Sequence, residues 1–74
     1  PRMALDGGND GLDLIKKVIY KSKYILKVKG TLVLEIGNKQ KKKVSNILID
    51  NNFRIKHFIK DYKNNVRCVL AHYK

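Results

Sequence analysis

A chain of 74 residues falls short of an ordinary domain and buries only about 60% of the surface its unfolded form exposes, so its stability alone is marginal. A hydrophobic fraction of 43% argues against disorder, and neither a membrane-spanning apolar run nor a signal-peptide pattern is present. The single cysteine, Cys68, excludes an internal disulfide and fits a reducing cytoplasm.

The net charge of +11 invites a nucleic-acid reading, since lysines that neutralise phosphates release counterions. The lysines outnumber the arginines fourteen to three, however, and spread over predicted helices, strands and turns. Lysine, asparagine and isoleucine are all abundant and share A/T-rich codons, so base composition explains much of the charge. The densest run, Lys41-Lys42-Lys43, is expected to cover the solvated face of a helix.

The chain opens on a glycine-punctuated loop holding Asp6, Gly7, Gly8, Asn9, Asp10 and Gly11. A loop so specialised implies a surface to fit, and none precedes it, so a piece of a larger protein is expected. Asn9 or Asp10 suits an N-cap, with Asp13 in the first turn where negative charge is favourable. Leu12, Ile15, Ile19, Ser22 and Leu26 recur at helical spacing, flanked by Leu14, Val18 and Ile25. Lys16, Lys17, Lys21, Lys23 and Lys27 lie opposite, which predicts a one-faced helix over 11–27.

The apolar run 31–36, between Gly30 and Gly37, reads as a strand covered on both faces. A second helix is predicted over 39–51, with Val44, Ile47 and Leu48 as its stripe and Ile49 beside them. Asn52 suits the left-handed stop. Segment 53–60 alternates, placing Phe53, Ile55, His57 and Ile59 on one side, and 66–73 is the last strand. The Asn64-Asn65 pair between them suits a tight hairpin.

The order is helix, strand, helix, strand, strand. A helical connection makes the first two strands parallel, and the hairpin makes the last antiparallel. The expected fold class is therefore α/β. Right-handed crossovers put both helices on one face, leaving the other face bare and the 31–36 edge unpaired. Self-association of the chain alone, or a partly loosened fold, is expected from this.

Laid out so, the chain resembles the C-terminal half of a Rossmann-like class I S-adenosylmethionine-dependent methyltransferase, and more narrowly the HemK-type glutamine N5-methyltransferases. The family's Pro-x-x-Ala-Leu-x-Gly-Gly-x-Asp-Gly-Leu segment is matched by Pro1, Ala4, Leu5, Gly7, Gly8, Asp10, Gly11 and Leu12. Its Leu-Glu-x-Gly-x-x-Gln segment is matched by Leu34, Glu35, Gly37 and Gln40, and a late Lys-Asp-(Leu/Tyr)…Arg segment by Lys60, Asp61, Tyr62 and Arg67. Asn52 and Asn64 stand where family members often carry glycine.

The resemblance implies an enzyme that acts on a glutamine of a peptide chain release factor, whose amide nitrogen attacks the sulfonium methyl of S-adenosylmethionine in an in-line displacement. It also implies that residues 1–74 are a partial domain. The family's glycine-rich cofactor loop and its Asn-Pro-Pro-Tyr motif have no counterpart here, because Pro1 is the only proline. No catalytic or cofactor-binding residue is carried over, and this portion alone is expected to be inactive and to bind no cofactor. Asp6 to Gly11 is expected to face substrate in the intact enzyme. An adenine N6-methyltransferase of nucleic acid is the rival within the fold, and a small basic RNA-binding module the rival outside it.

Glu35 is a carboxylate in an otherwise apolar strand, so it needs a partner or an opening to solvent. Near a strand end it is a candidate for active-site support. His57 and Cys68 suit cross-strand neighbours, but two ligands make no tetrahedral metal site, and with His72 they read as structural. Asp6, Asp10 and Asp13 read as caps rather than cation ligands. Tyr20, Tyr24, Tyr62 and Tyr73 form no alternating basic–aromatic platform for RNA.

Overall fold

The computed structural model describes residues 12–26, 30–37 and 39–74. The expectations placed on 6–11 and on Lys27 lie outside these residues. The elements are α1 (Leu12–Ile25), β1 (Thr31–Glu35), α2 (Lys41–Asp50), β2 (Phe53–Lys60) and β3 (Val66–Tyr73).

Helix α1 forms as its spacing predicts. Ile15, Ile19 and Ser22 are buried, with Asp13 in the first turn. Leu26 is buried just past the helix, its N–H donating to the Ser22 carbonyl at 2.9 Å. Ser22 joins an apolar stripe because its hydroxyl has a local partner, the Val18 carbonyl at 2.6 Å. Leu14 and Ile25, which flank the stripe in sequence, are half exposed or more. In α2, Val44 and Leu48 are buried and Ile47 packs beside them, whereas Ile49 turns out to solvent.

The sheet order is β1-β3-β2, with β3 antiparallel to both neighbours, so β1 and β2 run parallel with the last strand between them. Leu32 and Leu34 of β1 pair with Ala71 and Val69 of β3. These four side chains share one face and merge with both helix stripes and Phe53 into a single buried cluster. Both helices therefore cover the same face, as the connections predict.

The opposite face carries the rows Thr31–His72–Arg54, Val33–Leu70–His57 and Glu35–Cys68–Ile59. No described helix covers it. This corrects the expectation that β1 is enclosed on both sides: among the described residues only its Leu32 and Leu34 face is buried.

A second correction concerns β2. The register slips between Ile55 and His57, so Lys56 is an extra residue and the alternation restarts. Phe53 and Ile55 lie on the core face, and Phe58 follows them there. His57 and Ile59 move to the open face, so the predicted line of Phe53, Ile55, His57 and Ile59 does not form. A tally of alternating residues cannot register one inserted residue.

Among the described residues, three that are not glycine hold positive φ: Lys39 at 67°, Asn52 at 66° and Asn64 at 70°. Asn52 follows the C-cap of α2, as expected of asparagine there. Asn51, the cap itself, donates from Nδ2 to the Ile47 carbonyl at 2.8 Å and accepts from Lys23 Nζ at 3.5 Å, a loose tie between the helices.

Candidate functional site

Ligands of open α/β sheets gather beyond the carboxyl ends of the parallel strands. In this chain that end of β1 is Glu35, followed by the turn into α2. Glu35 is exposed, on the open face beside Cys68, so it meets the second of its two requirements, access to solvent. Ile36 is buried behind it, its N–H donating to the Arg67 carbonyl at 2.8 Å. That bond fixes the end of β1 against β3 and with it the direction in which Glu35 leaves the strand.

The next residues form a closed unit. Gln40 is buried, and its Oε1 accepts the Gly37 N–H at 2.6 Å while its own N–H donates to the Gly37 carbonyl at 3.2 Å. Its carbonyl then takes the Val44 N–H at 2.9 Å, the first intrahelical bond of α2. A side-chain amide thus holds the strand-to-helix turn shut. This gives Leu34, Glu35, Gly37 and Gln40 a shared physical reason: core anchor, exposed carboxylate, turn and turn clasp. The left-handed Lys39 inside this turn carried no sequence signal, since lysine is not a residue chosen for that conformation.

Of Lys60, Asp61, Tyr62 and Arg67, the structure joins Asp61 and Arg67, while Tyr62 is exposed. Asp61 starts a turn in which the Asn64 N–H donates to its carbonyl at 2.9 Å and Asn64 takes the left-handed position. Asp61 Oδ1 accepts the N–H groups of Lys63 and Asn65 at 2.9 and 3.0 Å, and Oδ2 accepts Arg67 Nε at 2.8 Å. The Asn65 N–H holds the carboxyl below the usual carboxylate range; partial burial opposes this, and Arg67 and Lys63 add to it. The same Arg67 supplies the carbonyl that fixes Ile36, so the hairpin loop is linked to the Glu35 end of β1.

The other candidates stay apart. Cys68 faces Ile59 and Glu35, and His57 faces Leu70, so the expected His57–Cys68 pair is only diagonal. No group of His, Cys, Asp or Glu suited to a metal occurs among the described residues. Tyr20 and Tyr24 do meet, edge to face at 5.6 Å, with Tyr24 donating to the Tyr20 hydroxyl at 3.1 Å and Lys23 Nζ 4.8 Å from the Tyr20 ring. That contact pushes the Tyr24 phenol up. No described helix is long and apolar enough to cross a membrane.

The architecture is consistent with the C-terminal part of a class I methyltransferase: an α/β sheet whose last strand runs antiparallel between two parallel ones. Along nearly its whole length the chain matches the C-terminal portion of HemK-type release factor glutamine methyltransferases. It is 44% identical over 71 residues to the release factor glutamine methyltransferase of Fusobacterium nucleatum, covering 96% of this chain and 20% of that protein. With the enzyme of the same name from Clostridium acetobutylicum it shares 41% over 71 residues, covering 96% of this chain and 25% of that protein. A ribosomal protein uL3 glutamine methyltransferase of Francisella tularensis is 42% identical over 40 residues, 54% of this chain and 13% of that protein. The chain thus spans about a fifth to a quarter of the length of the release factor enzymes it matches. No family model matches it, and no solved structure matches it significantly.

Proposed function

We propose that residues 1–74 are the C-terminal portion of an enzyme that transfers a methyl group from S-adenosylmethionine to a glutamine side-chain amide of a peptide chain release factor. The observation that carries this reading is the extent of the likeness. It covers 96% of the chain for the two release factor enzymes named above but 54% for the uL3 enzyme, and two of the matched segments, at 34–40 and at 61–67, form hydrogen-bonded turns. The relatives named above are protein glutamine methyltransferases, which favours an amide over an adenine substrate.

An open groove between α2 and β2 is rimmed by Lys39, Lys41 and Lys42, which repel a sulfonium cation, so this groove does not suit the cofactor. On the family resemblance, cofactor binding and the amide-holding motif are assigned to chain outside these 74 residues. This portion supplies half of a sheet, its two covering helices and the active-site rim. Within that rim Asp6, Gly7, Gly8, Asn9, Asp10 and Gly11 face substrate, and Glu35 supports the site from the strand end. A cytoplasmic location follows from a substrate that acts in translation.

The test is a full-length enzyme carrying these residues, assayed with release factor and labelled S-adenosylmethionine, against the Gly8→Val variant. Methylation of glutamine in the unmodified enzyme, with a loss in Gly8→Val much larger than its loss of thermal stability, is the expected result. Parallel loss of activity and stability would leave the loop only a folding role. Methylation of adenine in DNA or RNA but not of the release factor would overturn the substrate assignment.

A further inference from the structure

Between α2 and β2 lies an open groove of about 650 Å3, along the β2 edge of the sheet. Its floor is apolar, formed by Ile55 and Phe58, which share the core face because the extra residue Lys56 resets the alternation. Its rim is cationic, with Lys39, Lys41 and Lys42 all exposed, and Ser45 and Asn46 form the wall between. Lys41 Nζ stands 4.7 Å from the centre of the Phe58 ring.

Charge is concentrated in this part of the chain. Residues 39–60 hold six lysines and Arg54 against the single acid Asp50, a balance of +6 within the net +11. No acidic residue occupies the first turn of α2 to offset the lysines there. The rim therefore repels itself and is relieved by any anionic partner, while the floor gains by covering Ile55 and Phe58.

We propose that this groove docks an extended acidic peptide segment, with its apolar side chains on Ile55 and Phe58 and its carboxylates against Lys39, Lys41 and Lys42. Two features favour a peptide over a nucleic acid. A phosphate backbone uses the lysine rim but leaves the apolar floor unfilled, and the Phe58 face on which a base would stack is taken by the Lys41 ammonium. A peptide of alternating acidic and apolar residues satisfies both parts at once. The proposal does not depend on the methyl-transfer reading, because it needs only the described residues.

The experiment is fluorescence anisotropy of the 74-residue chain with a labelled peptide of Glu-Glu-Leu repeats. Saturable binding that weakens with added salt is expected, and Lys41→Glu with Lys42→Glu should reduce affinity about tenfold or more. Lys16→Glu with Lys17→Glu makes the same charge change on α1 and should leave affinity within about twofold. Glutamates in the first turn of α2 favour the helix, so loss of binding there does not reflect loss of structure; far-ultraviolet circular dichroism checks this, and Lys41→Gln with Lys42→Gln should give a smaller loss. A repeat with serine in place of leucine should bind more weakly. Absence of binding, equal losses in the α1 and α2 variants, or a serine repeat that binds as well would overturn the proposal. So would a single-stranded RNA of matched charge that binds more tightly and is lost equally in the α2 variant.

Discussion

Asp61 holds the β2–β3 loop through three hydrogen bonds: two from backbone N–H groups and one from Arg67. Its ionisation is held below the usual carboxylate range, chiefly by the Asn65 N–H. A carboxylate depressed in this way adds stability above its unfolded value, near about 4, and loses it as pH falls through the lower folded value. Asp61→Asn should therefore melt below the unsubstituted chain at neutral pH, and that gap should shrink as pH drops below about 4. Melting temperatures followed by circular dichroism measure it; a gap that stays constant with pH would rule out the charged form as the stabilising species. Arg67 is about half exposed, at 49%, so the pair itself is screened and the backbone donors dominate. The hairpin and its asparagine turn were legible in the sequence, whereas the three-way role of Asp61 was not. A side chain that bonds two, four and six residues ahead is found only once the loop has closed.

Within elements, the two helices show where periodicity suffices and where it misleads. The α1 stripe of Ile15, Ile19 and Ser22 is buried as its spacing predicts, and the serine is tolerated because the Val18 carbonyl accepts a hydrogen bond from its hydroxyl. That carbonyl already lies within the helix ladder, so removing the hydroxyl strands no partner. Ser22→Ala is thus expected to change stability by no more than about 0.5 kcal/mol in either direction, whereas Ile19→Ala should cost roughly 2–5 kcal/mol. Denaturant melts distinguish these; a large loss in Ser22→Ala would mean the hydroxyl has a structural role beyond Val18. In β2 the pattern misled. Lys56 carries no mark of a bulge, and register is set by which β3 residues Phe53, Ile55 and Phe58 can meet while reaching the core.

At the scale of the molecule, one sheet face is packed and the other is not. Val33, Leu70, Cys68 and Ile59 share the open face, with Ile59 at 49% exposure, and β1 pairs on one side only among the described residues. Apolar surface and an open strand edge together favour association. The 74-residue chain should therefore show concentration-dependent mass in sedimentation velocity, and Ile59→Lys should shift it toward monomer without lowering the melting temperature. A clean monomer across the concentration range would show that the open face and edge are compatible with isolation.

Element order, helix stripes, the asparagine stops and the family likeness were all set by local sequence. They depend on spacing along the chain and on backbone preferences that each residue carries by itself. Two features were decided only when the strands paired. The bulge at Lys56 moved His57 and Ile59 off the core face and Phe58 onto it. The row Glu35–Cys68–Ile59 placed the lone strand carboxylate on the open side. Each is a choice of partner across the chain, where side-chain packing and hydrogen bonds between distant residues outweigh what any one segment prefers.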